Sequence, residues 1–148
     1  SSDKLFEMLR RHEGVKPFAY QCSAGKTTIG VGRNIDEDGG LGLSEEEINY
    51  LLKNDIARVT SELSKEYNWF DKLDDARRDA MIDISFNLGS TSLRLFTNAL
   101  ASMESGDYIM AAIEFDSSLW SKQVGSRATE LCEQIEMIET GEYEDASA

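Results

Sequence analysis

Residues 12–33 read HEGVKPFAYQCSAGKTTIGVGR, and the fold and most of the chemistry of the chain follow from this stretch. It carries a carboxylate, Glu13, at the end of a predicted helix. A small, turn-rich segment follows, and it places a thiol, Cys22, and a hydroxyl, Thr28, at fixed offsets from that carboxylate. Three polar side chains that differ in acidity therefore lie within one short piece of chain, where they are candidates for a common site.

The secondary structure around these residues can be predicted from their spacing. Lys4–His12 has its apolar residues on one face and is predicted to be a helix, with Asp3 able to cap its start and Gly14 able to end it. Phe18–Tyr20 and Thr27–Val31 are predicted to be two short strands joined by a turn.

A long helix is predicted from Ser44 to about Lys65. Ser44 is a good N-cap and Glu47 is its capping-box partner, three residues further on. Asp55 falls on the apolar stripe of this helix, which consists of Ile48, Leu51, Leu52, Ile56, Val59 and Leu63. An ionised carboxylate on such a stripe needs a partner, because burying an unpaired charge is costly.

Helices fill the second half of the chain. Apolar residues lie on several faces of the segment from about Asp74 to Leu88, so this helix is predicted to be central, with Gly89 as its C-cap. Further helices are predicted over Ser92–Ser105, Asp107–Leu119 and Ser126–Thr140, with Gly106 and Gly141 at their ends and an acidic, frayed tail from Glu142.

These elements predict an α+β fold in a single domain, residues 1–148. A small β-hairpin lobe would cover about 14–43, a bridging helix about 44–66, and a helical lobe about 1–13 and 67–142. A cleft between the lobes would be the natural ligand site.

Composition excludes several classes of protein. The 148 residues can bury the core of one standard domain. The apolar runs are too short for a transmembrane helix, and the first residues lack the apolar region of a signal peptide. The net charge of −13 argues against a nucleic-acid partner, since phosphate contacts need Lys and Arg. Acidic surfaces favour solubility, and adaptation to salty surroundings is the alternative explanation.

Two cysteines do not make a disulfide framework, and a metal site is not expected. Structural zinc usually takes four Cys or His ligands, whereas this chain offers only Cys22, Cys132 and His12. No cofactor is indicated. Cys132 stands among apolar residues at helical spacing and is predicted to be an inert core residue.

The order Glu13, eight residues, Cys22, five residues, Thr28, followed by the TIGVG run, resembles the signature of the phage-type lysozymes, glycoside hydrolase family 24. The resemblance continues along most of the chain. It is carried by FDKLD at 70–74 with RR at 77–78, FNLG at 86–89 and FTN at 96–98. The resemblance implies a peptidoglycan muramidase that lyses bacterial cell walls. It further implies hydrolysis of the β-1,4 bond between N-acetylmuramic acid and N-acetylglucosamine, with inversion at the anomeric carbon.

The resemblance also implies roles for the three signature residues. Glu13 would be the catalytic acid, and burial would have to raise its pKa for it to keep a proton near neutral pH. The family usually has Asp where this chain has Cys22, and a thiol with an ordinary pKa of about 8.5 is mostly neutral at pH 7. Either the pKa of Cys22 is lowered, with Lys26 as a candidate cause, or Thr28 holds and activates most of the attacking water.

Further site residues are carried over from the same resemblance. The expected sugar contacts are Tyr20, Gly32, Phe86, Asn87, Trp120 and Gln123, although Phe86 and Trp120 are equally well explained as core residues. The expected supporting residues are Arg127 as a partner of Glu13, and Arg33 as the salt-bridge partner of Asp55. The substrate partner would be bacterial peptidoglycan, acted on by a monomer in the periplasm or outside the cell. The enzyme would be phage-encoded and made in the host cytoplasm.

Two other functions fit parts of the sequence. Cys22 as a nucleophile with His12 as its base would make a cysteine hydrolase, although Cys22 lies in a turn region rather than at a helix start. A non-catalytic wall-binding domain on a lysozyme scaffold is the other possibility, because a fold does not by itself prove an activity.

Overall fold

The computed structural model describes residues 2–137, except for the side chain of Leu119. The elements in chain order are α1 (Ser2–Glu13), β1 (Lys16–Gln21), β2 (Thr27–Gly30), β3 (Arg33–Asn34), α2 (Glu45–Glu66), a 3₁₀ turn (Phe70–Lys72), α3 (Asp75–Leu88), α4 (Ser90–Leu93), α5 (Thr97–Ser105), α6 (Tyr108–Asp116), α7 (Leu119–Val124) and α8 (Ser126–Glu136). The α+β class is therefore confirmed. No helix within the described residues is long and apolar enough to span a membrane.

The chain divides into two compact units, Ser1–Leu52 and Lys53–Ala148, and α2 contributes residues to both. The first unit contains α1, the sheet and the start of α2. The second contains the rest of α2 and all of the later helices.

The sheet of the first unit has three antiparallel strands in the order β1-β2-β3. Thr28 is central in it, since it pairs with Tyr20 on β1 and with Asn34 on β3. β1 and β2 lie close to their predicted positions. β3 was not predicted, because a strand of two residues is too short to show an alternating pattern.

Both ends of α1 can be compared with the prediction. Gly14 ends the helix as expected: it has a φ of +77°, and its N–H donates to the Arg10 carbonyl at 2.9 Å. The start is earlier than expected, because the helix begins at Ser2. Asp3 therefore lies in the first turn rather than at the cap.

The predicted capping box at the start of α2 is confirmed. The Ser44 N–H donates to Glu47 Oε1 at 2.8 Å, and the Glu47 N–H donates to Ser44 Oγ at 3.1 Å. On the predicted apolar stripe, Val59 and Leu63 are buried. The stripe residues nearer the start of the helix are exposed, namely Ile48, Leu51, Leu52 and Ile56.

The core of the second unit forms around α3, as predicted for this helix. Its fully buried residues include Ala80, Met81 and Ile84, and it packs against α4 and α8. An aromatic cluster lies in the same core. The Phe115 ring lies 5.6 Å from the Phe96 ring and 6.3 Å from the Trp120 ring.

The later helices are shorter than predicted. The segment Ser92–Ser105 is not one helix, since α4 ends at Leu93 and α5 begins at Thr97. Asp107 is the N-cap of α6, accepting the Met110 N–H at 3.1 Å, and α6 stops at Asp116. The Leu119–Val124 helix was not predicted as a separate element. The predicted end of α8 near Thr140 and Gly141, and the tail from Glu142, lie outside the described residues.

A buried arginine ties three helices of the second unit together. From α3, the Arg77 Nε donates to the Ile135 carbonyl at 2.6 Å, and its Nη2 donates to the Met137 carbonyl. Its Nη1 donates to Asp74 at 2.9 Å, and the guanidinium carbon lies 4.0 Å from the centre of the Tyr108 ring. Arg77 thereby satisfies carbonyls at the end of α8, which have no partner within that helix.

Candidate active site

Glu13 lies at the end of α1, and its carboxylate rests against Gly32 in the turn between β2 and β3. A Cβ on Gly32 would be 2.7 Å from Glu13 Oε2, and Gly32 has a φ of +67°. Only glycine accommodates both that backbone conformation and the carboxylate. The Glu13 side chain is exposed at the end of the helix.

Cys22 starts the turn between β1 and β2. Its N–H donates to the Lys26 carbonyl at 2.9 Å, and the Gly25 N–H donates to the Cys22 carbonyl at 2.8 Å. The backbone N–H groups of Lys26 and Ala24 bind the Cys22 sulfur and hold the pKa of the thiol below its ordinary value, although partial burial opposes them. The thiolate therefore forms at lower pH than in a free cysteine.

Lys26 was one candidate cause of such a shift, and it acts through its backbone rather than its side chain. The backbone N–H of Lys26 makes the largest contribution to lowering the pKa of Cys22. The ammonium group of the side chain instead binds Asp38, at 3.1 Å from both its carboxylate and its carbonyl oxygen. The hairpin turn, rather than the charge of the lysine side chain, stabilises the thiolate.

Thr28 is the only member of the signature whose side chain is nearly inaccessible, with 4% exposure. Its hydroxyl donates to the Lys26 carbonyl at 2.8 Å and also lies within hydrogen-bonding range of the Cys22 sulfur. A hydroxyl has a single proton to donate and two lone pairs that accept. While it donates to the carbonyl, its oxygen can accept a hydrogen bond from a water molecule.

Arg33 and Asp55, which were predicted to form a salt bridge, each have another ion-pair partner within their own unit. Arg33 makes a two-pronged contact with Glu47, with Nη1–Oε1 at 2.8 Å and Nη2–Oε2 at 2.6 Å, while Asp55 pairs with Arg58 at 3.6 Å. The capping box also holds the Glu47 carboxylate in place for this contact. The Ser44 N–H and the Arg33 guanidinium lower the pKa of Glu47 to about 2.

Asn87 and Trp120 are the two predicted sugar contacts that the second unit brings together. The Trp120 Nε1–H donates to Asn87 Oδ1 at 2.7 Å. Trp120 is a core residue with 4% exposure, whereas Asn87, Phe86 and Gln123 are exposed. Of the two interpretations left open for the aromatic residues, burial favours a core role for Trp120, and exposure leaves Phe86 available to a ligand.

Arg127 was expected to pair with Glu13, and the structure gives it another partner. Its Nη2 and Nε donate to Asp83 Oδ1 on α3, at 2.6 Å and 2.8 Å. Both side chains are partly exposed. This contact links α8 to α3 inside the second unit, and the pairing of Arg127 with Glu13 stays a prediction.

Cys132 differs from Cys22 in its burial and in the pKa of its thiol. It is buried in α8, and burial raises the pKa of its thiol to about 11, with Asp116 and Glu136 adding to the rise. Both cysteines are free thiols. Among the described residues, no three His, Cys, Asp or Glu side chains are grouped so that they could hold a metal ion.

Comparison with known proteins identifies the family of this chain. Residues 10–136 match the family described as phage lysozyme. The chain belongs to the phage lysozyme family. An endolysin of Acyrthosiphon pisum secondary endosymbiont phage 1 is 34% identical over 131 residues, which cover 88% of this chain and 86% of that protein.

Two further relatives give similar coverage. The endolysin of Salmonella phage P22 is 32% identical over 119 residues, covering 77% of this chain and 78% of the relative. The probable T4-type lysozyme 2 of Dictyostelium discoideum is 28% identical over 166 residues, covering 93% of this chain and 94% of the relative. The chain is therefore a peptidoglycan-lysing muramidase, a glycoside hydrolase that acts on the bacterial cell wall.

Sequence reasoning missed three side chains that bind predicted site residues or their neighbours. Glu47 was recognised as a capping residue but not as the partner of Arg33, and Asp83 was not considered for Arg127. Asp36, whose carboxylate accepts the Thr27 N–H at 3.0 Å, was not considered. The sequence did contain a signal for this role of Asp36. Asn34 and Asp36 stand at alternate positions before Gly39–Gly40, which is typical of a loop built on side-chain-to-backbone hydrogen bonds.

Proposed function

We propose that this phage lysozyme hydrolyses the β-1,4 bond between N-acetylmuramic acid and N-acetylglucosamine with inversion at the anomeric carbon. Glycoside hydrolysis needs a proton for the leaving oxygen and a group that activates water on the opposite face of the sugar. Glu13 supplies the proton. Cys22 and Thr28 together hold and activate the water.

The observation that carries this assignment is the environment of the Cys22 sulfur. Two backbone N–H groups favour its charged form, and the Thr28 hydroxyl lies beside it. A thiolate can accept a proton from water, whereas a neutral thiol is a poor base. The structure thus supports the Cys, in the place where the family usually has Asp, as a group that can carry negative charge.

In the proposed step the water oxygen bonds to the anomeric carbon as the bond from that carbon to the leaving oxygen breaks. Glu13 transfers its proton to the leaving oxygen, and the water gives one proton to the Cys22 sulfur, while Thr28 Oγ1 accepts a hydrogen bond from the O–H that the sugar keeps. Solvent then returns a proton to Glu13 and removes one from Cys22. Inversion requires room for water between the acid and the base, roughly 6.5 to 9.5 Å.

The remaining site residues are proposed as contacts to the glycan. Tyr20 is half-buried opposite Thr28 on β1, and Gly32 lies under the Glu13 carboxylate. Exposed Phe86, Asn87 and Gln123 contact sugar, and Trp120 acts indirectly by holding Asn87. Arg33 and Arg127 support the site through Glu47 and Asp83, and Asp55 supports α2 through Arg58.

The enzyme is further proposed to work as a monomer, without a cofactor or nucleic acid, and to be phage-encoded, made in the host cytoplasm and active on the wall. Purified peptidoglycan distinguishes the alternatives. New reducing sugar ends with an α-configured product, lost in Glu13→Gln, support the assignment. A β-configured product would contradict inversion, new free amines would indicate a cysteine hydrolase, and binding without products would indicate a wall-binding domain.

A further inference from the structure

The loop between β3 and α2 is built around Asp36, a carboxylate outside the residues assigned to catalysis above. Asp36 Oδ1 accepts the Asp38 N–H at 2.9 Å, and the Asp36 N–H donates to Asn34 Oδ1 at 2.9 Å. A Cβ on Gly40 would lie 2.4 Å from the Asp36 carbonyl oxygen and 2.6 Å from Asn34 Oδ1. The loop therefore wraps Asp36 so closely that position 40 has room only for glycine.

The second oxygen of this carboxylate reaches out of the loop to β2. Asp36 Oδ2 accepts the Thr27 N–H at 3.0 Å, and the Ile35 N–H donates to the Thr27 carbonyl at 2.9 Å. The N–H groups of Thr27 and Asp38 hold the pKa of Asp36 below its ordinary value. A charged acceptor is thus bound to the first residue of the strand that carries Thr28.

The Thr27 N–H and the Lys26 carbonyl are the two ends of one planar peptide unit. The Lys26 carbonyl accepts the Cys22 N–H at 2.9 Å and the Thr28 hydroxyl at 2.8 Å. Asp36 therefore fixes one end of a rigid plane, and the two proposed water-handling residues are hydrogen-bonded to the other end. A rotation of this peptide unit would move both of them together.

We propose that Asp36 is a positioning residue of the muramidase reaction, which acts by holding the Lys26–Thr27 peptide unit and with it the Cys22 sulfur and the Thr28 hydroxyl. The proposal rests on the function proposed above, in which these two groups hold and activate the attacking water. Asp36 touches neither sugar nor water in this role.

Other charged and titratable groups surround the same turn. Lys26 and Asp38 form an ion pair at 3.1 Å, and Asp38 is 93% exposed, so solvent weakens that contact. Tyr20 faces Thr28 from β1. Asp36 differs from these groups because it binds the backbone of the turn directly.

Asp36→Asn is the test, because an amide of the same shape keeps one acceptor and turns an N–H group toward the other donor. We expect kcat on purified peptidoglycan to fall by between about tenfold and a hundredfold, the range for a small misplacement of reacting groups, with KM little changed. We also expect the pH midpoint of Cys22 alkylation by iodoacetamide, followed by peptide mass spectrometry, to move upward. Cys132 in the same samples reports global opening, because it is buried.

Glu37→Gln is the matched control, since it removes one negative charge from the neighbouring exposed position, and it should keep the kcat and alkylation midpoint of the wild type. If Asp36→Asn does not fold, Asp36→Ser supplies a shorter acceptor for the same measurements. A wild-type kcat, or a loss of kcat with an unchanged Cys22 midpoint, would overturn the positioning role.

Cys22→Ala and Thr28→Ala separate failure of this inference from failure of the proposed function. If both keep the kcat of the wild type, the proposed handling of water is wrong, and the positioning role falls with it. If both lose activity while Asp36→Asn does not, the proposed function stands, and only the role of Asp36 is overturned.

Discussion

A side chain at position 32 would collide with the Glu13 carboxylate, whereas one at position 30 would meet no described atom within 4 Å. Both glycines have a φ near +70°, so Ala costs about 1–2 kcal/mol of backbone strain at either position. We therefore expect Gly32→Ala to lose about tenfold to a hundredfold more kcat/KM than Gly30→Ala. Turbidity loss of purified peptidoglycan measures both. Equal losses would show that the Glu13–Gly32 contact is irrelevant to activity.

The lowered pKa of Cys22 makes the rising limb of the pH profile informative. Since the backbone N–H groups of Lys26 and Ala24 favour the thiolate, activity should begin to rise below the ordinary thiol value of about 8.5. Cys22→Asp should keep substantial activity and extend it to lower pH, because a carboxylate stays charged there. Cys22→Ala should lose about a hundredfold or more. If Cys22→Ala matches the wild type across the pH range, Cys22 is a spectator.

At the scale of single elements, the contact of β3 with the start of α2 should make stability depend on pH. The pKa of Glu47 is about 2 in the folded chain and about 4.3 when unfolded, so its contribution to stability is present above the unfolded value and is lost as pH falls toward 2. Glu47→Gln should therefore lower the urea midpoint clearly at pH 7 and progressively less between pH 5 and pH 2.

Glu46→Gln, at an exposed position of the same helical turn, is the control for Glu47→Gln. It removes the same charge without removing the contact with Arg33. If Glu47→Gln lowers the urea midpoint by the same amount at pH 2 and at pH 7, the ionised carboxylate is not the form that stabilises the fold.

Arg77 and Arg78 are neighbours on α3 with very different surroundings. Arg77 is buried and satisfies the Ile135 and Met137 carbonyls, whereas the Arg78 side chain is 43% exposed and makes one ion pair with Asp75 at 3.4 Å. Arg77→Ala should reduce the free energy of unfolding by about 3 kcal/mol or more, because it leaves buried acceptors unpaired. Arg78→Ala should change it by less than about 1 kcal/mol. Urea denaturation measures both variants. Similar losses of unfolding free energy in Arg77→Ala and Arg78→Ala would contradict this prediction.

Elements with strong local signals could be predicted from the sequence, and elements created by packing could not. The capping box at Ser44 and the glycine after α1 were sufficient to place two helix ends. No Gly or Pro marks the break between α4 and α5. The break instead occurs where Leu93 and Phe96 both pack against the core. The separate α7 had local signals in Ser118 and Gly125, and these were missed.

The candidate site shows the same division. The spacing of Glu13, Cys22 and Thr28 was visible in the sequence, because all three lie within one short stretch. The partners of charged residues were predicted less well. Arg33 binds Glu47, 14 residues away, and Arg127 binds Asp83, 44 residues away. Several carboxylates were available to each arginine, and only the folded geometry selects one of them.

At the scale of the whole molecule, the net charge of −13 opposes approach to a cell wall that is itself largely anionic. Salt shortens the reach of this repulsion, from about 30 Å at 0.01 M to about 10 Å at 0.1 M. Lysis should therefore rise with moderate salt before it falls. Turbidity assays across this range, with whole walls and with short soluble glycan fragments, measure the effect.

Exposed acids on α5 and α8 allow the same idea to be tested at constant salt. Glu104→Gln and Glu130→Gln together make the chain less negative by two charges and leave the proposed catalytic residues untouched. In low salt this double variant should lyse walls faster than the wild type, and at about 0.1 M the advantage should shrink because screening already removes most of the repulsion. Short uncharged fragments should be cleaved equally by both proteins. If wild-type lysis falls steadily from the lowest salt and the double variant gains nothing there, long-range repulsion does not limit the enzyme, and the acidic surface serves solubility alone.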